Sequence, residues 1–233
     1  MKVSIVGTGY VGLVTGVCLA ELGHDVVCVD VARDRVEKIN QGIPPIYEER
    51  LEEMLREGLR LGRLKATTDL GEAVRGTELS LICVGTPSGL LDYIALKYVE
   101  EVSKEIGTVL KGKDAYHVVV VKSTVVPGTT EHVVMPLLER HSGKKAGKDF
   151  GVCMNPEFLR EGRAIDDYMH PDRIVVGGID GRSTEKLMEL YKGFDCPVLK
   201  TNPKTAEMVK YATNSFLVTK ISFINEIGNI CKS

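Results

Sequence analysis

The chain has 233 residues, 24 of them glycine, with 43% hydrophobic and 27% charged residues. That composition suits one large domain with a buried core, and it excludes a disordered or low-complexity chain. Thirty Lys and Arg against 32 Asp and Glu leave a net charge of −2, which gives no global pull towards nucleic acid or an anionic membrane.

From Val3 to Ala20 the sequence carries no charge, and Lys2 precedes the run. Eighteen uncharged residues after a basic start imitate a membrane span or a signal peptide. Gly7, Gly9, Gly12 and Gly16 interrupt the run, three of them spaced G-x-G-x-x-G. The pattern predicts instead a short strand at 3–6, a tight turn Gly7-Thr8-Gly9-Tyr10-Val11-Gly12, and a helix to about Leu22. A second strand follows, Asp25 to Asp30, ending on an acid. The glycines serve three separate ends, namely the turn, close approach of backbone to a pyrophosphate, and tight packing of helix on strand. The helix start directs free N–H groups at the phosphates. Asp30 follows Gly9 by 21 positions, where a carboxylate accepts hydrogen bonds from the adenosine ribose. NAD is favoured, because Asp30 repels a 2′-phosphate; Arg33 and Arg35 keep NADP as the alternative.

Further along, 33–41 and 48–61 read as helices, then 64–67, 79–84 and 117–121 as strands, with helices at 95–106 and 129–141 between and after them. A strand at 173–177, a helix at about 183–193 and a long final helix from Pro203 complete the reading. Asn202 is a good N-cap and Pro203 suits the first helical position. The expected fold is α/β, a Rossmann-like doubly wound parallel sheet over residues 1–200, with 201–233 the start of a long connecting or dimerisation helix. Ligands of such sheets bind at the carboxyl ends of strands, which singles out the loops 85–88, 123–128 and 155–157. Gly107-x-x-x-x-Gly112-Lys113 imitates a P-loop, but Asp114 replaces the Ser or Thr and the motif precedes a strand. It reads as a surface turn.

The six cysteines form no C-x-x-C and sit mostly in apolar strings, as reduced thiols of a cytoplasmic protein do. No H-x-x-x-H occurs among the five histidines, so no metal is expected. Glu157 and Glu161 lie close together in Asn155-Pro156-Glu157-Phe158-Leu159-Arg160-Glu161-Gly162. Lys210 and Asn214 share one face of the final helix, where they could bind a hydroxyl and stabilise an oxyanion. A solvated helix face and two surface carboxylates are the plain alternatives.

In six ordered blocks the sequence resembles the UDP-glucose/GDP-mannose dehydrogenase family: GTGYVG with Asp30, VGTPS at 84–88, KSTVVPGTT at 122–130, NPEFLREG at 155–162, PDRIVVGG at 171–178, and Lys210-x-x-x-Asn214 before Asn225-Glu226. The resemblance implies oxidation of a nucleotide sugar's C6 alcohol to a carboxylate by two hydride transfers to NAD, through a cysteine-bound thioester. PDRIVVGG leans towards UDP-glucose, with GDP-mannose the alternative. The resemblance makes Gly7, Gly9, Tyr10, Val11, Gly12, Asp30 and Arg35 cofactor contacts. It puts Thr86, Thr124 and Glu161 near the nicotinamide, with Thr124 also counted catalytic. Glu157 becomes the acid/base of thioester hydrolysis, residues 157–161 (Glu157, Phe158, Leu159, Arg160, Glu161) contact the sugar nucleotide, and Lys210 polarises the reacting oxygen beside Asn214.

Two features depart from the family. Residues 89–95, GLLDYIA, replace a usually polar loop. The family's Gly-Gly-Ser-Cys nucleophile and its nucleotide-binding domain lie beyond the point where this sequence stops. Cys231 follows a helical stretch with no glycine-rich loop and is not a substitute. The expectation is the cofactor half of a dehydrogenase, inactive by itself, paired as a homodimer through the final helix or with a separate chain bearing the cysteine. A non-catalytic NAD module and a β-hydroxyacid dehydrogenase are the other readings, and NPEFLREG argues against the last.

Overall fold

A computed structural model describes residues 1–87 and 95–232. Ser88 of the expected 85–88 loop, and 89–94 of the GLLDYIA segment, lie outside the described residues. Eight strands form one sheet in the order β3-β2-β1-β4-β5-β6-β7-β8. They are β1 (Lys2–Val6), β2 (Asp25–Val29), β3 (Leu64–Thr67), β4 (Leu79–Ile82), β5 (Val118–Val121), β6 (Gly151–Met154), β7 (Ile174–Gly178) and β8 (Val198–Thr201). Every pairing is parallel except β6 with β7.

Both faces are covered, which explains uninterrupted apolar strands such as Val118-Val119-Val120-Val121. Val118 and Val120 join one core with helices α1 (Tyr10–Glu21) and α3 (Leu51–Arg60). Val119 and Val121 join the other, against α4 (Leu70–Gly76), α5 (Lys97–Lys111) and α6 (Met135–Ser142). Burying each valine contributes about 1.5–2 kcal/mol. Three further helices complete the layers: α2 (Arg33–Asn40), α7 (Ala164–Met169) and α8 (Gly181–Met188). The charge-free run 3–20 is core strand and core helix, and among the described residues no helix is long and apolar enough to cross a membrane.

Strand register sets the site. Val6 pairs with Val29, so the glycine turn and Asp30 leave the sheet side by side. Ile82 pairs with Val121 and Val121 with Met154, so the loops after β4, β5 and β6 emerge at that same edge. The last helix, α9 (Pro203–Ile230), starts beside Gly177, where an added Cβ would lie 2.6 Å from the Asn202 carbonyl oxygen. It runs back towards the edge, and seven residues of rise, about 10 Å, bring Lys210 to it.

Two features differ from the sequence expectation. Gly107 is no surface turn; it lies within α5, where a Cβ would come 2.8 Å from His141 Cβ, and Gly112 ends the helix. The segment expected as one helix at 129–141 is a π-helical turn, Thr130–Val134, leading into α6.

Candidate active site

The glycine turn fits a dinucleotide. Gly7 has φ +98°, and a Cβ there would come within 2.9 Å of Cys83 backbone, while one on Gly12 would lie 1.9 Å from the Gly7 carbonyl oxygen. Gly9 faces open space, which leaves its backbone bare to an approaching group. Gly9 is also the N-cap of α1, so among the described residues no side chain caps the N–H groups at the helix start, those of Tyr10, Val11 and Gly12. Asp30 stands at the end of β2 with its carboxylate ordered from four directions. Thr8 donates from N (2.9 Å) and Oγ1 (2.6 Å), Ala32 from N (3.0 Å) and Arg35 from Nη1 (3.1 Å). Burial works to raise its pKa, but these bonds outweigh it and hold the carboxyl below the usual range. Val31, next to it, is 97% exposed and offers an apolar surface that the sequence reading passed over.

Thr86 and Thr124 meet beyond the ends of β4 and β5, Thr86 Oγ1 donating to the Thr124 carbonyl at 2.9 Å. Neither lines the cleft of about 390 Å³ that is walled by the 155–163 loop, the 166–174 segment and the start of α9. Inside it Lys210 Nζ lies 2.7 Å from Glu157 Oε1, both side chains largely buried. The other oxygen, Glu157 Oε2, accepts from Leu159 N at 2.7 Å, which fixes the carboxylate's direction. Asn214, one turn beyond Lys210, is exposed and lines the same cleft. The plain reading of Glu157 and Lys210 as solvated surface charges therefore fails.

Two cations lie over the Phe158 ring: the Arg173 guanidinium stands 4.2 Å from its centre and Lys210 Nζ 5.5 Å. Arg160, also on the cleft wall, is held in a bidentate pair with Asp167, at 3.0 and 2.5 Å. Glu161 is exposed and is not among the residues that line the cleft. So the structure brings Glu157, Phe158, Lys210 and Asn214 together in one cleft, and leaves Glu161, Thr86 and Thr124 off its lining.

Three side chains belong to this edge that the sequence reading did not assign. Lys122, 3% exposed, directly follows β5 and donates to Asn155 Oδ1 at 3.0 Å. Asn155 passes the connection on, its Nδ2 donating to the Val175 carbonyl at 2.8 Å, and Tyr191 hydroxyl donating to its Oδ1. Glu207, one turn before Lys210, is fully buried and accepts from Gly128 N, Thr130 N and Thr130 Oγ1, the last two at 2.8 and 2.6 Å. Burial pushes its carboxyl up, although these bonds pull the other way. It ties α9 to the loop carrying Thr124. The third, Glu48, bridges the cofactor turn to the loop 155–163. A lysine directly after a four-valine strand was the one signal available for Lys122.

A family model described as the UDP-glucose/GDP-mannose dehydrogenase family, NAD-binding domain, matches residues 1–195, and that of the central domain matches 204–233. The chain is 51% identical over its 233 residues to a GDP-mannose 6-dehydrogenase of Pseudomonas syringae pathovar tomato, covering all of this chain and 53% of the relative. It is 45% identical over 237 aligned residues to a UDP-glucose 6-dehydrogenase of Haloferax volcanii, covering 55% of that protein. A crystal structure of a ternary complex of GDP-mannose dehydrogenase from Pseudomonas aeruginosa superposes with a TM-score of 0.98 at 48% identity, over all of this chain and 53% of that one. The chain thus spans about half the length of the relatives it matches. With the glycine turn, Asp30 and the Glu157–Lys210 pair on one sheet edge, the chain belongs to the UDP-glucose/GDP-mannose dehydrogenase family, whose NAD-binding domain it contains.

Proposed function

We propose that this chain is the cofactor half of an NAD-dependent nucleotide-sugar 6-dehydrogenase, with residues 1–200 holding NAD and 201–233 beginning the connecting helix. The observation that carries the reading is the buried Glu157–Lys210 contact in a cleft at the glycine-turn edge of the sheet. NAD held at that turn supplies a hydride acceptor. Gly7, Gly9, Tyr10, Val11, Gly12, Asp30 and Arg35 hold it, with Thr86, Thr124 and Glu161 towards the reacting end.

The chain's own residues handle the proton and the charge. Lys210 donates to the sugar oxygen and stabilises the negative charge that develops as its proton leaves. Asn214 adds a second polar contact from the same helix face. Glu157, held by Leu159 N and Lys210, exchanges a proton at the reacting centre. Phe158, Leu159 and Arg160 wall the nucleotide sugar. Lys122 and Arg173 line the cleft without an ion pair among the described residues, which suits the diphosphate of such a substrate.

GDP-mannose is the better supported substrate and UDP-glucose the second, the reverse of the lean taken from PDRIVVGG. Of the two relatives compared by sequence, the one with higher identity is named for GDP-mannose. A homodimer through α9, or pairing with a chain that carries the rest of the active site, completes the proposal. The six free cysteines support a cytoplasmic setting.

The test is a fusion of this chain to the C-terminal part of the Pseudomonas aeruginosa enzyme, followed for NADH. Turnover of GDP-mannose is expected, falling by about 100-fold or more in Lys210→Ala. A folded fusion that binds NAD and oxidises neither GDP-mannose nor UDP-glucose would contradict the proposal.

A further inference from the structure

Glu48 sits between α2 and α3, far from the loop 155–163 in sequence, yet it is 5% exposed and every oxygen of its carboxylate is engaged. Oε1 accepts from Ala164 N at 2.9 Å. Oε2 accepts from Gly162 N at 2.9 Å and from the Tyr10 hydroxyl. The Gly162 N–H is shared, lying 3.1 Å from the Tyr10 oxygen as well. Tyr10 is the first residue of α1 and part of the glycine turn itself. Gly162 has φ +84°, so the chain reverses there and its amide is turned inwards. One buried carboxylate therefore fastens the end of the segment carrying Glu157 and Glu161 to the turn that receives the cofactor's phosphates.

We propose that Glu48, acting with the Tyr10 hydroxyl, is a positioning residue that couples cofactor binding at the glycine turn to the placement of the substrate-facing loop. The inference rests on the functional reading above and extends it. It names the contact through which an occupied turn favours one loop geometry. The physical basis is directional. Two backbone N–H groups and one hydroxyl converge on two oxygens, and among the described residues the Gly162 and Ala164 amides find no acceptor outside this cluster. Losing the carboxylate strips those amides of their charged acceptor in a part-buried seam, and the loop must shift to hydrate them. Because coupling free energy is reciprocal, a loop released in this way weakens the cofactor in turn.

Deuterium exchange by mass spectrometry on the wild-type chain, Glu48→Gln and Tyr10→Phe, each with and without NAD, tests this. In wild type the peptide spanning 159–164 is expected to be protected, and NAD should slow its exchange further. Glu48→Gln should exchange there about tenfold faster while the β5 peptide stays as in wild type, and its NAD dissociation constant should rise several-fold. Tyr10→Phe keeps both backbone bonds to Glu48 and serves if Glu48→Gln does not fold. In it, basal protection at Ala164 should persist but NAD should no longer slow the loop. Loop exchange in Glu48→Gln equal to wild type would overturn the proposal, as would a loosened loop with unchanged NAD affinity, or a Tyr10→Phe loop that still responds to NAD. Wild type failing to bind NAD would instead overturn the functional reading.

Discussion

His117 is enclosed between Lys113 and Ser80 at the end of the sheet away from the site, with Lys113 Nζ at 2.9 Å from Nδ1 and Ser80 Oγ at 2.8 Å from Nε2. Lys113 also donates to the Val74 and Thr77 carbonyls, which locks its ammonium in place. Burial, and then the Lys113 charge, push the imidazole down to about 3 from an ordinary 6.5. The sign follows from linkage, since the unfolded chain takes up a proton below pH 6.5 that the native chain refuses. Stability from this group is full above 6.5 and drains away as pH falls towards 3, at about 1.4 kcal/mol per pH unit between the two values. Urea unfolding at pH 7, 5.5 and 4.5 should show that slope in wild type and a shallower one in His117→Gln; equal slopes would refute the linkage. Asp30 shows what single residues reveal in sequence. Its distance from the glycine turn is a spacing, and the parallel register of β1 and β2 turns spacing into contact. Glu48 reveals nothing that way. Its partners lie 38 and 114 residues away, and only tertiary packing joins them.

At the scale of elements, the strongly periodic pieces were legible and the short ones were not. The first strand, the glycine turn, α1 and β2 follow from pattern because each combines apolar repetition with a turn signal. Segments β6 and β8 escape such reading: Gly151-Val152-Cys153-Met154 is four residues opening on glycine, and Val198-Leu199-Lys200-Thr201 is an edge strand with little burial. Helix α4 contains Gly71 and ends on Gly76, a poor sequence for a helix. It forms because Asp69 Oδ1 accepts from Glu72 N at 2.7 Å and because Leu70, Ala73 and Val74 are buried. The start of α3 is strained instead. Arg50, its N-cap, has φ +66°, among the described residues the only non-glycine with positive φ, and its side chain is not capping. A left-handed conformation costs an L-residue about 1–2 kcal/mol, part of which glycine returns as chain entropy. Arg50→Gly should therefore stabilise the chain by about 0.5–1 kcal/mol in denaturant unfolding. A loss of stability would show that the arginine makes a compensating contact.

The whole molecule divides into a packed sheet and a bare helix. Beyond Lys210, α9 exposes Phe216, Leu217, Val218, Ile221, Phe223, Ile224, Ile227 and Ile230, each 38% exposed or more. Fully burying a side chain of this kind contributes about 1.5–3 kcal/mol, so pairing two such helices about a two-fold axis offsets a large cost. Sedimentation at micromolar concentration should find a dimer, weakened in Phe216→Glu with Ile224→Glu; a wild-type monomer would contradict this. The helix itself was readable from Asn202-Pro203 and its apolar positions. Its path was not, since the small Gly177 beneath its start and the Glu207 tether decide where Lys210 arrives. In the proposed function NAD is held by the turn Gly7–Gly12 and selected over NADP by Asp30. Titration calorimetry of the chain with NAD and with NADP tests that most directly. The prediction is NAD bound at least about tenfold more tightly, with Asp30→Ala weakening NAD by about 1–3 kcal/mol. NADP binding equal to or tighter than NAD would contradict it.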